Sequence, residues 1–180
     1  MSKENEGATP ENVNLEATNL PVTVHSQYIR DLSFENPGAP MSLRAGQPMP
    51  EMEVNIGMDA RQFDETGDFP NLYEVAVTIS ATAKRGDETV FIAEIIYGAA
   101  VTIGESVPIE QHHPVLLIEI PRVTFPFARQ ILATMVSQGG FPPLLVAPVD
   151  FNALYFERFK DDIAAAQAGV QKESETKTVN

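Results

Sequence analysis

The side chains best equipped for chemistry in this chain are three histidines, two of them adjacent at His112-His113, and the carboxylates led by Asp31 and Glu35. Paired histidines raise the question of a metal site. Neighbours in an extended chain project to opposite sides, however, and only Glu110 and Glu119 lie near enough in sequence to add ligands. No metal centre is expected from that set, and His25 is expected to bond locally. Asp31 and Glu35 have the same parity in a strand, so they fall on one side of it. General acid/base work needs a pocket and shifted pKa values. A solvated strand face supplies neither, which leaves solvation or charge-based docking. Ser33, Ser106 and Ser137 lack a nucleophile-elbow context. Gly104, Gly139 and Gly140 spell neither GxxxxGK[ST] nor GxGxxG. The chain has no Cys, which removes disulfides, thiolate catalysis and cysteine zinc sites. The expectation is a protein without catalytic residues, metal or cofactor.

Adaptable apolar surface remains. Six Met occur in the chain, and Met41, Met49, Met52 and Met58 lie close together in sequence. Flexible, polarisable Met side chains re-pack around unlike partners. Met52, Val54 and Ile56 alternate as core positions. Met41, Leu43, Phe141, Leu144 and Val146 lie in loops that core packing does not fix, so they are expected to line an exposed groove. Phe127 adds an aromatic to that set.

The elements that position these residues follow from periodicity. Val22 to Glu35 reads as a first strand, with Arg30 interrupting one face. Asn36-Pro37-Gly38-Ala39-Pro40 ends it, and Met41 to Pro50 is too long for a tight hairpin, which suits a crossover to a non-adjacent strand. Glu51 to Asp59 alternates as a second strand with Met52, Val54, Ile56 and Met58 inward. Leu72 to Lys84 is a third, its apolar face formed by Tyr73, Val75, Val77 and Ile79. After Arg85-Gly86-Asp87, Glu88 to Val101 is a fourth, apolar on both faces. Such a strand is covered twice, by a helix of its own chain or by a partner. Gly104 to Pro121 breaks the pattern, and Val115 to Ile120 reads as a short strand or buried loop. A helix from about Phe125 to Gln138 follows. Pro126 is placed in its first turn, Phe127, Ile131 and Met135 lie on its stripe, and Gly139-Gly140 ends it. Asp150 caps a second helix from Phe151 to about Ala168. Four strands followed by two helices give an α+β fold: a four-stranded antiparallel sheet with a crossover between strands 1 and 2 and both helices on one face.

The net charge of −13 disfavours nucleic acid and anionic membrane surfaces and favours basic partners. No apolar run approaches the ~20 residues that span a bilayer, and Met1-Ser2-Lys3-Glu4-Asn5-Glu6 lacks the apolar region of a secretory signal. A cytoplasmic location is expected. Residues 1–20 and 169–180 are polar and read as disordered tails flanking one domain at 21–168.

Tyr28-Ile29-Arg30-Asp31-Leu32-Ser33-Phe34-Glu35, Phe125-Pro126-Phe127-Ala128-Arg129, Met135-Val136-Ser137, Gly140-Phe141-Pro142 and Ala147-Pro148-Val149-Asp150-Phe151-Asn152-Ala153-Leu154 together resemble the signature of SecB, the bacterial protein-export chaperone family. The likeness runs from about Val24 to Tyr155. It implies an ATP-independent holdase that binds unfolded precursor proteins and hands them to the SecA motor, and a homotetramer built as a dimer of dimers. Carried onto this sequence, the motor-binding positions are Asp31, Glu35, Ile92 and Glu94. The client groove takes Met41, Leu43, Phe127, Phe141, Leu144 and Val146. Ala93, Ile95, Tyr97, Ile131 and Met135 fall at the subunit interface. Ala93 stands where the family usually has Cys, the acidic N-terminal extension is atypical, and the chain diverges after about Phe156. The alternative from residues alone is an acidic oligomeric adaptor for a single folded basic partner.

Overall fold

A computed structural model describes residues 21–63 and 71–160. Both tails, the Asp64–Asp68 loop and the end of the last helix lie outside the described residues. Four strands, β1 Val22–Glu35, β2 Glu51–Gln62, β3 Leu72–Arg85 and β4 Glu88–Ile103, form one antiparallel sheet in the order β1-β4-β3-β2. The long connection after β1 is therefore a crossover, carrying the chain from one sheet edge to the other. A short 3-10 turn at Met41–Leu43 and a cis Ala39–Pro40 peptide lie within it.

Cross-strand register assigns each residue to a face. Phe34, Ala93, Ala81 and Val54 form one lateral row; Leu32, Ile95, Ile79 and Ile56 the next; Ile29, Tyr97, Val77 and Met58 a third. These rows are the inner face. The expected parity of β1 changes part-way, because register shifts fall between Val24/Ser26 and Ile29/Asp31. Each marks a bulge in which one extra residue, His25 or Arg30, faces no partner of its own. Hence Tyr28 and Asp31, of opposite parity, both point outward, and the interrupting Arg30 is the bulge itself.

The inner face is covered by helix. The chain is helical from Ile109 to Gln138: α1 Ile109–Pro114, a five-residue π-helical stretch Val115–Glu119, and α2 Ile120–Gln138. At 1.5 Å per residue this spans about 45 Å. The expected start near Phe125 is corrected, as is the reading of Val115 to Ile120 as strand or loop. Pro126 sits in the helix interior, not in the first turn. Pro114, Pro121 and Pro126 each remove one N–H donor, and the chain absorbs the mismatch by widening to a π turn between the first two. Leu116, Leu117, Ile118, Ile120, Phe125, Ala128, Leu132 and Val136 are buried against the sheet. Thr124, buried with them, donates its hydroxyl to the Ile120 carbonyl at 3.0 Å. Gly140, at φ +90°, supplies the left-handed residue that ends α2.

Residues 141–149 then retrace α2 as an extended segment, with Arg129 Nη1 donating to the Val146 carbonyl at 3.3 Å. Asp150 caps α3, residues 151–160, its Oδ1 accepting from Ala153 N–H at 3.1 Å as expected. Phe151 meets Phe125 edge to face at 5.6 Å. Arg158 of α3 donates to the Met58 carbonyl on β2, so α3 leans against that edge of the sheet. The two helices of the expected α+β arrangement share one face of the sheet.

Candidate functional site

The outer face of the sheet gathers Asp31, Glu35, Ile92 and Glu94. Glu35 pairs with Ile92, Ser33 with Glu94 and Asp31 with Ile96 across β1 and β4. Cross-strand partners share a face, so residues separated by about sixty positions in sequence become neighbours. The same rows continue through Thr82, Ser80 and Thr78 of β3 to Glu53, Asn55 and Gly57 of β2. The result is a mainly polar surface with acids at both margins. Ile92, 37% exposed, and the half-buried Ile96 are its apolar members on β4. No helix was needed to cover this side of β4: its second apolar face is mostly small or polar residues at the sheet centre.

One end of this face holds an ionic cluster that the sequence did not reveal. Glu74 of β3 is 4% exposed. It accepts from the Tyr28 hydroxyl at 2.5 Å, from Arg61 Nε at 2.5 Å and from Arg30 Nη1 at 3.4 Å. Desolvation acts to raise the Glu74 pKa, but the hydrogen bonds from Tyr28 and Arg61 and the charges of Arg61 and Arg30 outweigh it and hold the carboxyl below its ordinary range. Tyr28 is pushed up by desolvation first and then by its bond to that carboxylate. Gly98 makes the cluster possible, since a Cβ there would lie 2.7 Å from the Tyr28 ring. Arg30, Glu74 and Arg61 belong to three different strands, so only pairing brings them together.

On the helix side lies an apolar groove of about 320 Å³. Its floor is aromatic: Phe141 packs against Phe91 at 4.8 Å and Phe34 at 6.3 Å between ring centres. One wall is Gln47-Pro48-Met49-Pro50 of the crossover, the other Pro142-Pro143-Leu144-Leu145. Prolines fix φ and remove donors, so both walls present side chains without forming strands. Met49 and Leu145, 84% and 80% exposed, stand at the rim. Phe141 and Leu144 line the groove as expected. Leu43 lies beside it against Gly140, whereas Met41 is exposed and the half-buried Val146 packs against the core outside the groove lining. Met49 of the methionine cluster and Met52, expected as a core position, also line it, as do Phe91, Leu145 and Arg85, which were not singled out. Paired prolines on both flanking segments were the available signal.

Phe127 belongs elsewhere. It stacks on Tyr97 at 6.5 Å and joins Leu32, Ile131 and Met135 in a separate shallow hollow on the exposed side of α2. That hollow unites three of the residues expected at a subunit contact. Ala93 and Ile95, the other two, are 0% exposed beneath α2, covered by their own chain.

The histidines are satisfied by neighbours. His112 bridges the Tyr73 hydroxyl and the Val107 carbonyl, each at 3.1 Å. His113 bonds the Tyr155 hydroxyl at 2.8 Å, and His25 the Thr102 hydroxyl at 2.7 Å. The adjacent pair thus ties the helix start to β3 and to α3. Among the described residues no group of three or more His, Cys, Asp or Glu is placed to hold a metal.

The family model described as preprotein translocase subunit SecB matches residues 15–162. A protein-export protein SecB of Rhodospirillum centenum is 42% identical over 140 residues, covering 78% of this chain and 80% of its own. Those of Agrobacterium fabrum and Granulibacter bethesdensis are 42% and 44% identical, covering 88% and 77% of this chain and 96% and 82% of theirs. Among solved structures, a Mycobacterium tuberculosis SecB-like chaperone in complex with a peptide from an antitoxin shares the fold. Its TM-score is 0.58 at 11% identity, over 72% of this chain and 91% of that one. With the motifs, the sheet order and the sequence matches in agreement, the chain belongs to the SecB family of protein-export chaperones.

Proposed function

We propose that this protein holds precursor proteins unfolded without ATP and delivers them to the SecA motor, acting in the cytoplasm as a homotetramer. The observation that carries this reading is the separation of two surfaces of unlike chemistry by one sheet. The proline-walled groove on the helix side suits extended apolar segments, whose backbone is unfolded and whose side chains seek burial. The acidic outer face with Asp31, Glu35, Ile92 and Glu94 suits a basic docking module of the motor. A client and a motor on opposite sides do not compete, as delivery requires. The hollow of Tyr97, Phe127, Ile131 and Met135 supplies the contact between copies.

The test is a pair of calorimetric titrations on each of two variants. Asp31→Lys is expected to weaken SecA binding at least tenfold and leave an unfolded client unaffected. Leu144→Asp is expected to do the reverse. Equal loss of both activities in either variant would count against two separate surfaces. Binding restricted to one folded basic protein, with no unfolded client held, would favour the adaptor instead.

A further inference from the structure

The groove walls differ in how they are held. The Pro142–Leu145 wall is anchored at Phe141, which is buried against Phe34 and Phe91. The crossover wall has no such anchor. Pro48 and Pro50 lack N–H groups, and among the described residues no backbone–backbone hydrogen bond links residues 45–50 to the sheet. Gln47 donates to the Met41 carbonyl at 2.8 Å, which ties the loop only to itself. The polar ties from this wall to the sheet converge on one side chain. Arg85, at the end of β3, donates through Nε to the Pro48 carbonyl at 2.9 Å and through Nη1 to the Ser42 carbonyl at 3.1 Å and to Gln47 Oε1. Arg85 also lines the groove, as the one charged side chain among its described lining residues.

We propose that Arg85 is a positioning residue for client binding: its guanidinium sets the place of the crossover wall and so the width of the groove. The proposal rests on the groove being the client site. A guanidinium presents five donors in a rigid fork and serves several acceptors at once. The acceptors here come from three residues of the loop, and a single ammonium does not span them. Without the fork, residues 45–50 keep only their prolines and the Gln47 bond to Met41 within the loop, and each client bound must first order that wall. Ordering a loop on binding lowers affinity without removing any apolar contact.

The experiment uses the full chain with carboxymethylated, permanently unfolded α-lactalbumin as the probe client. The chain has no Cys, so Met49→Cys gives a single labelling site on the wall for a fluorophore. Arg85→Ala is expected to weaken client affinity about tenfold and to lower the anisotropy of the label at 49, with SecA binding through the opposite face unchanged. Arg85→Lys, which keeps charge and stem, is expected to recover less than half of either loss, and it decides the matter if the alanine variant does not fold. Leu144→Asp is the control for the groove itself. Wild-type affinity in both Arg85 variants, with Leu144→Asp weakened, overturns the positioning role and leaves the groove standing. Wild-type affinity in Leu144→Asp overturns the client site and this proposal with it.

Discussion

Glu74 is a buried carboxylate whose partners outweigh its desolvation, and that balance has a measurable sign. Its pKa in the folded chain lies below the ordinary value of 4.5. The ionised cluster therefore adds stability above that pH and loses it as pH falls through the lowered value. Glu74→Gln is expected to cost about 2 kcal/mol at neutral pH, the worth of hydrogen bonds to a buried charge. Thermal melts against pH should show the gap to wild type closing as pH drops below 4.5. Gly98→Ala probes the same cluster by shape. The new methyl group meets the Tyr28 ring, which must leave Glu74, at an expected overpacking cost of about 1–3 kcal/mol. Combining the two substitutions should cost less than their sum, because both break the bond between Tyr28 and Glu74. Tyr28 and Arg30 were legible only as members of a first strand. Their meeting with Glu74 and Arg61 needs the register of four strands, which alternation within one strand does not contain.

The second and third strands were legible because each presents period-2 alternation over most of its length, as Met52, Val54, Ile56 and Met58 do, and the fourth, apolar on both faces, because the turn at Arg85-Gly86-Asp87 marks its start. The helix was legible only from Phe125 onward. Upstream, Pro114 and Pro121 mimic a breaker, and Leu116, Leu117 and Ile118 are buried consecutively, so the run imitates a strand. A helix buried that broadly loses the one-sided stripe by which helices are recognised. The outward part of α2 carries its own expectation. Phe127 is 48% exposed in the single chain, so Phe127→Asp should cost the isolated chain no more than the stack on Tyr97, about 0.5–1.5 kcal/mol. It should nevertheless shift the proposed tetramer to smaller species in native mass spectrometry. A variant that stays tetrameric would move the subunit contact away from the hollow. The crossover wall was legible as a loop, but its anchor was not. Arg85 lies 37 residues from Pro48 and 43 from Ser42 along the chain, and no local pattern links them.

At the scale of the molecule, a net charge of −13 and one polar face act at long range, whereas an apolar groove acts on contact. Association with a basic partner at the face of Asp31 and Glu35 should therefore slow about tenfold between low and high salt in stopped-flow measurements. Capture of an uncharged unfolded client should change by less than about twofold over the same range. Loss of salt dependence in Glu35→Gln/Glu94→Gln would place the steering charge on that face and not in the remaining acids. The two bulges of β1 have a further consequence for the sheet as a whole. Each extra residue flips the alternation once, so the two slips cancel, and Val22 and Phe34 return to the same side. What does not cancel is the added right-handed twist at each slip. Among the described residues β1 pairs only with β4, so its other margin is an outer boundary of the sheet, contoured at His25 and Arg30. A flat strand from an unrelated protein is a poor match for that contour, which guards a 14-residue margin against indiscriminate lamination.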